Sequence, residues 1–468
     1  MRVDRMVAFI TLTLIATSAI AAAPAPKATP EFKVEEVASG LRAPWAIAFL
    51  PDGRVFFTER EGRVRAIEHG NLVAEPVLTV PDIKSWTKMG LLGMALSPGF
   101  ATDHVLFLAE NYGDESHNFM RVVRYREDGG KLVEPKRLID EIPAYLNHTG
   151  GRLRFGPADG KLYVTTGDAD KPPLAQDLRA LNGKVLRINP DGSIPDDNPF
   201  VGRDDAHPAV WSYGHRNPQG LAFQPDTNTL FAPEHGPDGG DEINIIRKGC
   251  NYGWPVVSHD RSRDGMVSPL LQYTPSIAPA AAMFYTGDLI PLLKGDLLVG
   301  CLRCEGILRV QLDGERVISA ERMLYRQLGR LREVAQAPDG SIWITTSEFD
   351  PPEGRRREGY DKIFRLTPTG ATTQPVAIPG PKANASPLST AQIFAARCVA
   401  CHGDGAGPSL HSSLFDGKWL LSAGRDEDLR RTIRDGAIER GMPKYGEFLT
   451  EAEIADLVRY IREHENHR

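Results

Sequence analysis

The sequence lacks basic runs and carries no excess of positive charge. Its 55 Lys and Arg residues are outnumbered by 61 Asp and Glu residues, so the net charge is −6. Neither nucleic acid nor an anionic membrane surface is therefore indicated as a partner, and a small neutral or weakly charged ligand fits better. The chain has 468 residues, of which 41% are apolar, and this length predicts at least two packed domains.

Long apolar runs are also scarce, and the first one follows the basic residues Arg2 and Arg5. It covers residues 6–20 and is followed by three alanines at 21–23. This order is typical of a secretory signal cleaved after Ala21, so the sequence predicts a signal peptide at 1–21 and a periplasmic or secreted protein. An uncleaved N-terminal anchor is the alternative, but the run is short for a membrane span. No transmembrane span is expected after cleavage.

A dinucleotide fingerprint is missing as well. No G-x-G-x-x-G sequence follows a strand pattern and opens a helix, which argues against nicotinamide or flavin on a Rossmann unit. Any redox chemistry in this chain must therefore use cofactors of another kind.

Cysteine is rare, with five residues, and two of them belong to a C-x-x-C-H pattern. This pattern predicts a c-type haem bound through thioethers to Cys398 and Cys401, with His402 on the iron. Met442, in a Gly-Met-Pro sequence, is the predicted second axial ligand, since a thioether raises the haem potential. His411 as the ligand, with Met442 filling a gap in the core, is the alternative.

The other three cysteines are Cys250, Cys301 and Cys304. The segment from Cys301 to Cys304 is a second C-x-x-C sequence, but it lacks the histidine that haem attachment needs. In an exported protein such cysteines form disulfides or remain as inert buried thiols, and the sequence leaves both outcomes open.

Between residues 40 and 370 one pattern recurs six times: an alternating strand, a turn rich in Pro, Asp and Gly, and a second strand. Small sheets repeated every 40–60 residues or so predict a β-propeller, and we expect six blades over residues 32–368. Residues 369–387 are rich in proline and predict a linker. Residues 388–468 change to helical periodicity, with Ile454, Leu457, Val458 and Ile461 on one face of the last helix. The fold class is thus an all-β propeller followed by a small all-α domain, which resembles a class I cytochrome c over residues 389–465.

Since one haem cannot accept a hydride, the propeller needs a two-electron cofactor of its own. Four polar motifs lie at its turns: His-x-Gly-Gly-Arg-Leu-x-Phe-Gly-Pro at 148–157, Gly-His-Arg-Asn-Pro-Gln-Gly at 214–220, Glu-His-Gly-Pro-x-Gly-Gly-Asp-Glu at 234–242 and Arg-x-Arg-Glu-Val at 330–334. Together they make residues 32–368 similar to the soluble quinoprotein glucose/sorbosone dehydrogenases, also called aldose sugar dehydrogenases. The resemblance implies a six-bladed propeller that binds pyrroloquinoline quinone (PQQ) and calcium and oxidises a sugar.

The resemblance also implies roles for individual residues. His148 would be the general base that removes the proton from the anomeric hydroxyl, a task that suits an imidazole. Asp168 would orient His148, and Arg216 would stabilise negative charge on the quinone oxygens, positioned by Asn217 and Gln219. If His148 is not the base, His215 and His235 are the alternatives.

The remaining cofactor contacts implied by the resemblance are cationic. Arg330 and Arg332 would pair with the PQQ carboxylates through their guanidinium groups. Two positions depart from the family pattern: Lys88 stands where a glutamine is usual, and Arg303 where a lysine is usual. Both keep or add positive charge, so cofactor affinity or substrate choice is expected to differ while binding is retained.

Calcium is implied at two places. The backbone carbonyls of Gly236 and Pro237 would hold one ion against the quinone, and Glu242 and Tyr252 match a second, structural site with the oxygen ligands that calcium takes. The expected partners are a sugar substrate and a downstream periplasmic electron acceptor, either a cytochrome or an oxidase. The alternatives are a propeller hydrolase of the lactonase type and a non-enzymatic docking propeller tethered to an electron-transfer cytochrome.

Overall fold

The computed structural model describes residues 25–85, 88–114, 117–237, 239–259, 261–348, 360–373, 390–398, 402, 414–415, 424–437, 445, 449 and 451–465. The predicted signal peptide, residues 374–387 of the predicted linker, Cys401, His411 and Met442 lie outside these residues. In the described part of the chain, no helix is both long and apolar enough to cross a membrane.

In the described residues, twenty-five strands form six antiparallel sheets, one for each predicted blade. The first sheet contains β2 (Pro44–Phe49), β3 (Val55–Glu59), β4 (Arg63–Glu68) and β5 (Asn71–Leu72), with β6 (Leu78–Thr79) also paired to β4. The second contains β7 (Leu91–Leu96), β8 (Val105–Gly113), β9 (Asn118–Asp128) and β10 (Lys131–Ala144). The third contains β11 (Gly150–Phe155), β12 (Leu162–Thr166), β13 (Lys184–Ile188) and β14 (Val210–Tyr213).

The other three sheets follow the same order along the chain. The fourth contains β15 (Ala222–Phe223), β16 (Leu230–Glu234), β17 (Asp241–Ile246) and β18 (Leu271–Tyr273). The fifth contains β19 (Pro279–Phe284), β20 (Leu297–Cys301), β21 (Gly306–Asp313) and β22 (Arg316–Met323). The sixth contains β23 (Leu331–Gln336), β24 (Ile342–Thr346) and β25 (Asp361–Thr373), and β1 (Thr29–Leu41) completes it.

The pairing of β1 with β25 closes the ring, because a strand from the start of the propeller joins the strands from its end. It also corrects the predicted boundaries of 32 and 368. Thr29 pairs with Thr373 and Pro30 with Thr372, so the propeller starts three residues earlier and ends five residues later. The segment after Pro368 has the composition of a linker, yet it continues β25 and pairs with β1. Strand β24 does not reach this part of β25, so the sheet has only two strands here, and an edge position of this kind tolerates proline.

The first strands of the blades contact one another and surround the central channel, as with β2 against β7 and β19 against β23. Apolar side chains from neighbouring sheets pack between the blades. Phe107 of the second blade meets Phe155 of the third edge to face, with ring centroids 5.2 Å apart, and Phe231 meets Phe284 at 5.2 Å between the fourth and fifth blades. Beyond the strands, the propeller contains the short helix α1 (Phe100–Asp103) and 3₁₀ turns at Pro172–Ala175 and Pro291–Leu293.

The described part of the C-terminal region is helical, as predicted. Its helices are α2 (Thr390–Arg397), α3 (Asp426–Asp435) and α4 (Glu451–Glu465). They share one apolar core, which comprises Ile393, Phe394, Leu429, Ile433, Tyr445, Leu449, Ile454, Leu457, Val458 and Ile461. The predicted apolar face of the last helix is therefore confirmed, and it packs on the helix that leads to Cys398.

Candidate active site

A cavity of about 300 Å³ opens at the end of the channel where the first strands of the blades begin. Its walls come from the segments before β7, β11, β15 and β19, from the first residues of β2 and β23, and from the β16–β17 and β20–β21 loops. The lining residues are Trp45, Lys88, Asn147, His148, Thr149, Arg216, Asn217, Gln219, His235, Gly236, Gly239, Asp241, Ser276, Ala278, Leu302, Arg303 and Arg332. Eight of the predicted site residues, distant in sequence, are thus brought together at one place.

The cavity is strongly cationic. Lys88, Arg216, Arg303 and Arg332 line it, and Asp241 is the one acidic side chain among its lining residues. Two nitrogens in this region, Arg216 Nε and His235 Nε2, are buried and have no hydrogen-bond partner among the described residues. A pocket with this donor set fits a ligand that carries several negative charges.

Asp241 faces the cavity but is occupied by hydrogen bonds from the protein. It accepts hydrogen bonds from the backbone nitrogens of Gly236 at 2.9 Å, Ile277 at 2.8 Å and Ala278 at 2.7 Å, and from the Ser276 hydroxyl at 2.6 Å. Burial raises the pKa of Asp241, and these four bonds oppose that rise. The side chain therefore ties the β16–β17 loop to the segment that precedes β19, a role that the sequence does not reveal.

His148 is held in an uncommon backbone conformation directly before β11. Its φ is +52°, in the left-handed region. Gly167 packs against it so closely that an added Cβ would lie 1.8 Å from the His148 carbonyl oxygen, so only glycine fits. Such strain persists where the surrounding structure enforces it, and it is frequent at functional sites.

Two carboxylates contact the same nitrogen of the His148 ring. Nδ1 lies 2.8 Å from Asp168 Oδ1 and 3.1 Å from Asp170 Oδ1. The predicted pairing with Asp168 is therefore present in the structure, and Asp170 is a second partner that the prediction missed. Because Nδ1 is occupied, Nε2 is the nitrogen left for a molecule in the cavity, and a proton on Nδ1 makes Nε2 a base.

Asp168 is completely buried and does not line the cavity itself. Besides His148, it accepts a hydrogen bond from Trp254 Nε1 at 2.7 Å and one from the Asp170 backbone nitrogen at 2.9 Å. The guanidinium of Arg216 lies over the Trp254 ring, 5.3 Å from its centroid. Trp254 thus links the base to the predicted charge-stabilising arginine.

The two alternative histidines differ in position. His215 is fully buried away from the lining residues, with Nε2 2.9 Å from the Ser212 hydroxyl and Nδ1 2.8 Å from Glu234, so both of its nitrogens are occupied. His235 lines the cavity, and burial followed by the charges of Arg332, Arg216 and Lys88 lowers its pKa well below the ordinary value. His235 is therefore uncharged at neutral pH, and among the described residues no carboxylate contacts its ring as Asp168 contacts that of His148.

Three of the predicted cofactor residues, Arg332, Gln219 and Asn217, form a hydrogen-bond network that spans three blades. Arg332 NH1 donates to Gln219 Oε1 at 2.9 Å, Gln219 Nε2 donates to Asn217 Oδ1 at 3.1 Å, and the Gly150 backbone nitrogen donates to the same Asn217 oxygen at 3.2 Å. Asn217 and Gln219 therefore position the arginine on one side and the strand after His148 on the other.

Arg330, predicted beside Arg332, is placed differently. It does not belong to the cavity lining, and its Nε donates to the Ser347 carbonyl at 3.1 Å while NH1 lies 3.5 Å from the Leu302 carbonyl. Its guanidinium turns toward the neighbouring strand and supports the loop that carries Leu302. Its pairing with a cofactor carboxylate stays a prediction.

The predicted calcium site at the quinone lies on a tightly folded loop. An added Cβ on Gly236 would lie 2.1 Å from the Gly240 carbonyl oxygen, and Gly236 itself lines the cavity. Pro237 is buried next to it. Glycine is thus required for the loop to bring its backbone to the cavity wall, and backbone carbonyl oxygens are suitable calcium ligands. The residues fit the implied ion.

The second predicted calcium site contains the buried Glu234 and the half-buried Glu242. Glu242 pairs across the strands with Glu234, and burial, followed by the charge of Glu234, raises the pKa of Glu242 to about 8. Asn244 Nδ2 lies 2.9 Å from Glu242, while its Oδ1 is buried without a hydrogen-bond partner among the described residues. Two carboxylates and a spare amide oxygen fit a hard cation, so Glu234 and Asn244 join Glu242 as candidate ligands. The Tyr252 hydroxyl instead donates to the Ile245 carbonyl at 2.5 Å, which leaves only its backbone for the predicted role.

Part of the predicted haem site is described. Cys398 is half-buried and packs beside the helical core, and its backbone nitrogen donates to the Phe394 carbonyl at 2.9 Å. The His402 nitrogen in turn donates to the Cys398 carbonyl at 2.9 Å, so the two residues are one helical turn apart. Cys398 thus follows directly on the first helix and packs against its core, a position suited to haem attachment.

Fold and site together define a six-bladed β-propeller with a cationic cavity and an attached helical domain, and comparison with known proteins gives its family. The Glucose / Sorbosone dehydrogenase family model matches residues 41–352, and the model described as Cytochrome C oxidase, cbb3-type, subunit III matches residues 385–461. The chain belongs to the glucose/sorbosone dehydrogenase family and carries a cytochrome c domain at its C-terminus.

Individual relatives cover the propeller. The aldose sugar dehydrogenase of Escherichia coli is 35% identical over 361 residues, which is 73% of this chain and 95% of that protein. The PQQ-bound aldose sugar dehydrogenase of Streptomyces coelicolor is 35% identical, with a TM-score of 0.64 over 73% of this chain and 99% of that one. The apo form of the E. coli enzyme superposes with a TM-score of 0.67 at 33% identity, over 72% and 100% of the two chains.

Proposed function

We propose that this protein is an exported quinohaemoprotein that oxidises an aldose at the anomeric carbon to the lactone and passes the electrons to its own c-type haem. One observation carries the proposal. His148, with Nδ1 held by two carboxylates, lines the same cavity as four cationic side chains. A base beside a polyanion-binding site is what a PQQ-dependent sugar oxidation requires, and a relative with 35% identity is known in its PQQ-bound form.

PQQ, when bound, supplies the two-electron acceptor for the hydride that leaves the anomeric carbon. Arg332, Arg303 and Lys88 would hold its carboxylates, and Arg216 would stabilise the negative charge on its oxygens. The calcium ion on the Gly236 and Pro237 carbonyls would add positive charge at the same wall of the cavity. The second calcium, between Glu242 and Glu234, would compensate the negative charges of two acids that face each other across adjacent strands.

The residues of the chain handle the proton. His148 Nε2 takes the proton of the anomeric hydroxyl, and the imidazolium that forms is stabilised by Asp168 and Asp170 on Nδ1. Asp168 cannot turn away, because Trp254 holds its other oxygen. As the O–H bond breaks, its electron pair forms the second bond between carbon and oxygen in the lactone carbonyl, and the electron pair of the C–H bond leaves with the hydride. The c-type haem on Cys398, Cys401 and His402 would supply a one-electron acceptor for these two electrons in turn.

Export to the periplasm is part of the proposal. It is supported by the signal sequence expected at residues 1–21 and by the C-x-x-C-H motif, because the oxidising compartment outside the cytoplasm is where covalent haem is attached. The final electron acceptor would then be a periplasmic cytochrome or an oxidase.

The proposal is tested by reconstituting the protein with PQQ and calcium and following dye-linked oxidation of a panel of aldoses. Activity that needs PQQ and falls about 10²- to 10⁴-fold in His148→Ala, with an unchanged haem spectrum, supports it. Activity without PQQ, or a fully active His148→Ala variant, would overturn it.

A further inference from the structure

The buried pair Cys301 and Cys304 has no part in the proposed reaction. Cys301 ends β20 and pairs with Gly306 at the start of β21, so the turn between these strands contains only residues 302–305. Cys304 lies in this turn, where its backbone nitrogen donates to the Ile277 carbonyl at 3.2 Å. The hairpin thus folds the second cysteine back toward the first.

The two sulfurs share one apolar environment. Both side chains belong to the core between the fourth and fifth blades, where Cys301 is fully buried and Cys304 is 6% exposed. Their thiols contact each other through a hydrogen bond, and burial raises the pKa of Cys301 well above the ordinary thiol value. A thiol in this environment is a poor nucleophile and is shielded from reagents once the protein has folded.

The residues between the two cysteines line the candidate active site. Leu302 and Arg303 are both in the cavity wall, and their backbone nitrogens donate to Ala278 at 2.9 Å and Ile277 at 3.1 Å. A disulfide bond between Cys301 and Cys304 would close a ring that contains Leu302 and Arg303. It would restrict the backbone that presents Arg303 to the cavity.

We propose that Cys301 and Cys304 form a disulfide bond in the exported protein, and that this bond fixes the Leu302–Arg303 turn in the cavity wall. Two thiols are oxidised to one S–S bond, and their two electrons and two protons pass to an external disulfide, which is reduced to two thiols. The exchange takes place before β20 and β21 are buried, because the folded core excludes the reagent. The disulfide is independent of the proposed function, whereas its effect on cofactor binding rests on it.

Thiol counting tests the bond directly on the full-length holoprotein. The protein is isolated from the export compartment in the presence of N-ethylmaleimide, denatured without reductant and analysed by mass spectrometry. We expect one modified thiol, Cys250, because Cys398 and Cys401 are taken up by the haem. Trypsin cuts after Arg303, so the peptides 295–303 and 304–309 should be recovered as one linked species that separates on reduction. Three modified thiols and two separate peptides would overturn the proposal.

Amide hydrogen exchange tests the positioning. The double variant Cys301→Ser/Cys304→Ser should exchange the amides of residues 302–304 roughly tenfold faster than the wild type, because the turn opens locally more often. Cys250→Ser is the matched control, with the same change at the third propeller cysteine, and its exchange there should equal that of the wild type. Equal exchange in the double variant would refute the positioning role.

A PQQ titration of the metal-replete apoproteins then connects the turn to the cavity. The double variant should bind PQQ roughly 3- to 10-fold more weakly than the wild type and the Cys250→Ser control, because the turn is less preorganised. An unchanged affinity would exclude an effect of the disulfide on the cofactor. If the wild type itself does not bind PQQ, the proposed function fails, while thiol count and exchange still decide on the disulfide.

Discussion

Substituting Asp168 by asparagine tests the arrangement around the base, because the two side chains have the same size but different hydrogen-bonding groups. Asp168 accepts from three donors: His148 Nδ1 and the Asp170 backbone nitrogen on Oδ1, and Trp254 Nε1 on Oδ2. Asparagine offers one acceptor oxygen and one NH₂ group, so it cannot serve both sides. One donor must face another donor in a site that is fully buried.

Either orientation of the asparagine has a predictable cost. If its oxygen faces Trp254, its NH₂ group faces His148 and selects the tautomer with the proton on Nε2, so the base is lost and turnover falls by about 10²- to 10⁴-fold. If its oxygen faces His148, the Trp254 N–H is left unpaired, which destabilises the fold by about 1–3 kcal/mol. We expect the first effect to dominate, because a wrong tautomer does not require the Trp254 bond to break.

The assay is dye-linked sugar oxidation together with thermal unfolding of the same samples. Asp170→Asn is the control, since this side chain is 27% exposed and lies 3.1 Å from the same nitrogen. It should cost about tenfold in turnover or less, because Asp168 still fixes the tautomer. Wild-type turnover in Asp168→Asn, or a larger loss in Asp170→Asn than in Asp168→Asn, would refute the assigned roles.

Three further outcomes are expected. Arg332→Ala should weaken PQQ binding by roughly 10- to 100-fold in a fluorescence titration, because it removes a cation and the hydrogen bond that holds Gln219. Lys294→Ala on the surface is the control and should leave PQQ affinity unchanged. Equal PQQ affinities in the two variants would contradict the assignment of Arg332 to the cofactor pocket. Chelation of calcium should abolish activity and lower the melting temperature, and calcium with PQQ should restore both; full activity after thorough dialysis would exclude the metal sites. A chain that ends at Thr373 should fold and oxidise sugar with a dye as the electron acceptor, because β25 is then complete. Loss of this activity in the folded, shortened chain would mean that the cytochrome domain contributes to the active site.

The blades were predictable because their signals are local. A Pro-Asp-Gly turn between two alternating strands fixes a hairpin within about a dozen residues. The ring closure by β1 and β25 was located with less accuracy, because Thr29 and Thr373 meet only through long-range pairing. A segment rich in proline and threonine shows no local sign that its backbone will find a partner strand.

The site was predicted residue by residue only where a family motif covered it. His148, Arg216 and Arg332 line the cavity, whereas Arg330, two residues from Arg332, is not among the lining residues and donates to the Ser347 and Leu302 carbonyls. Such differences depend on side-chain rotamers that neighbouring strands determine. Asp170 and Trp254 were missed for the same reason, since their roles arise from contacts with His148 and Asp168 rather than from any spacing in the sequence.

The most direct test of the account is rapid mixing of the full-length protein, reconstituted with PQQ and calcium, with an aldose while the haem absorbance is followed. The account predicts that sugar reduces the haem at a rate independent of protein concentration, and that omission of PQQ or the His148→Ala substitution abolishes the signal. A haem that remains oxidised while sugar is consumed, or that is reduced equally well without PQQ, would contradict it.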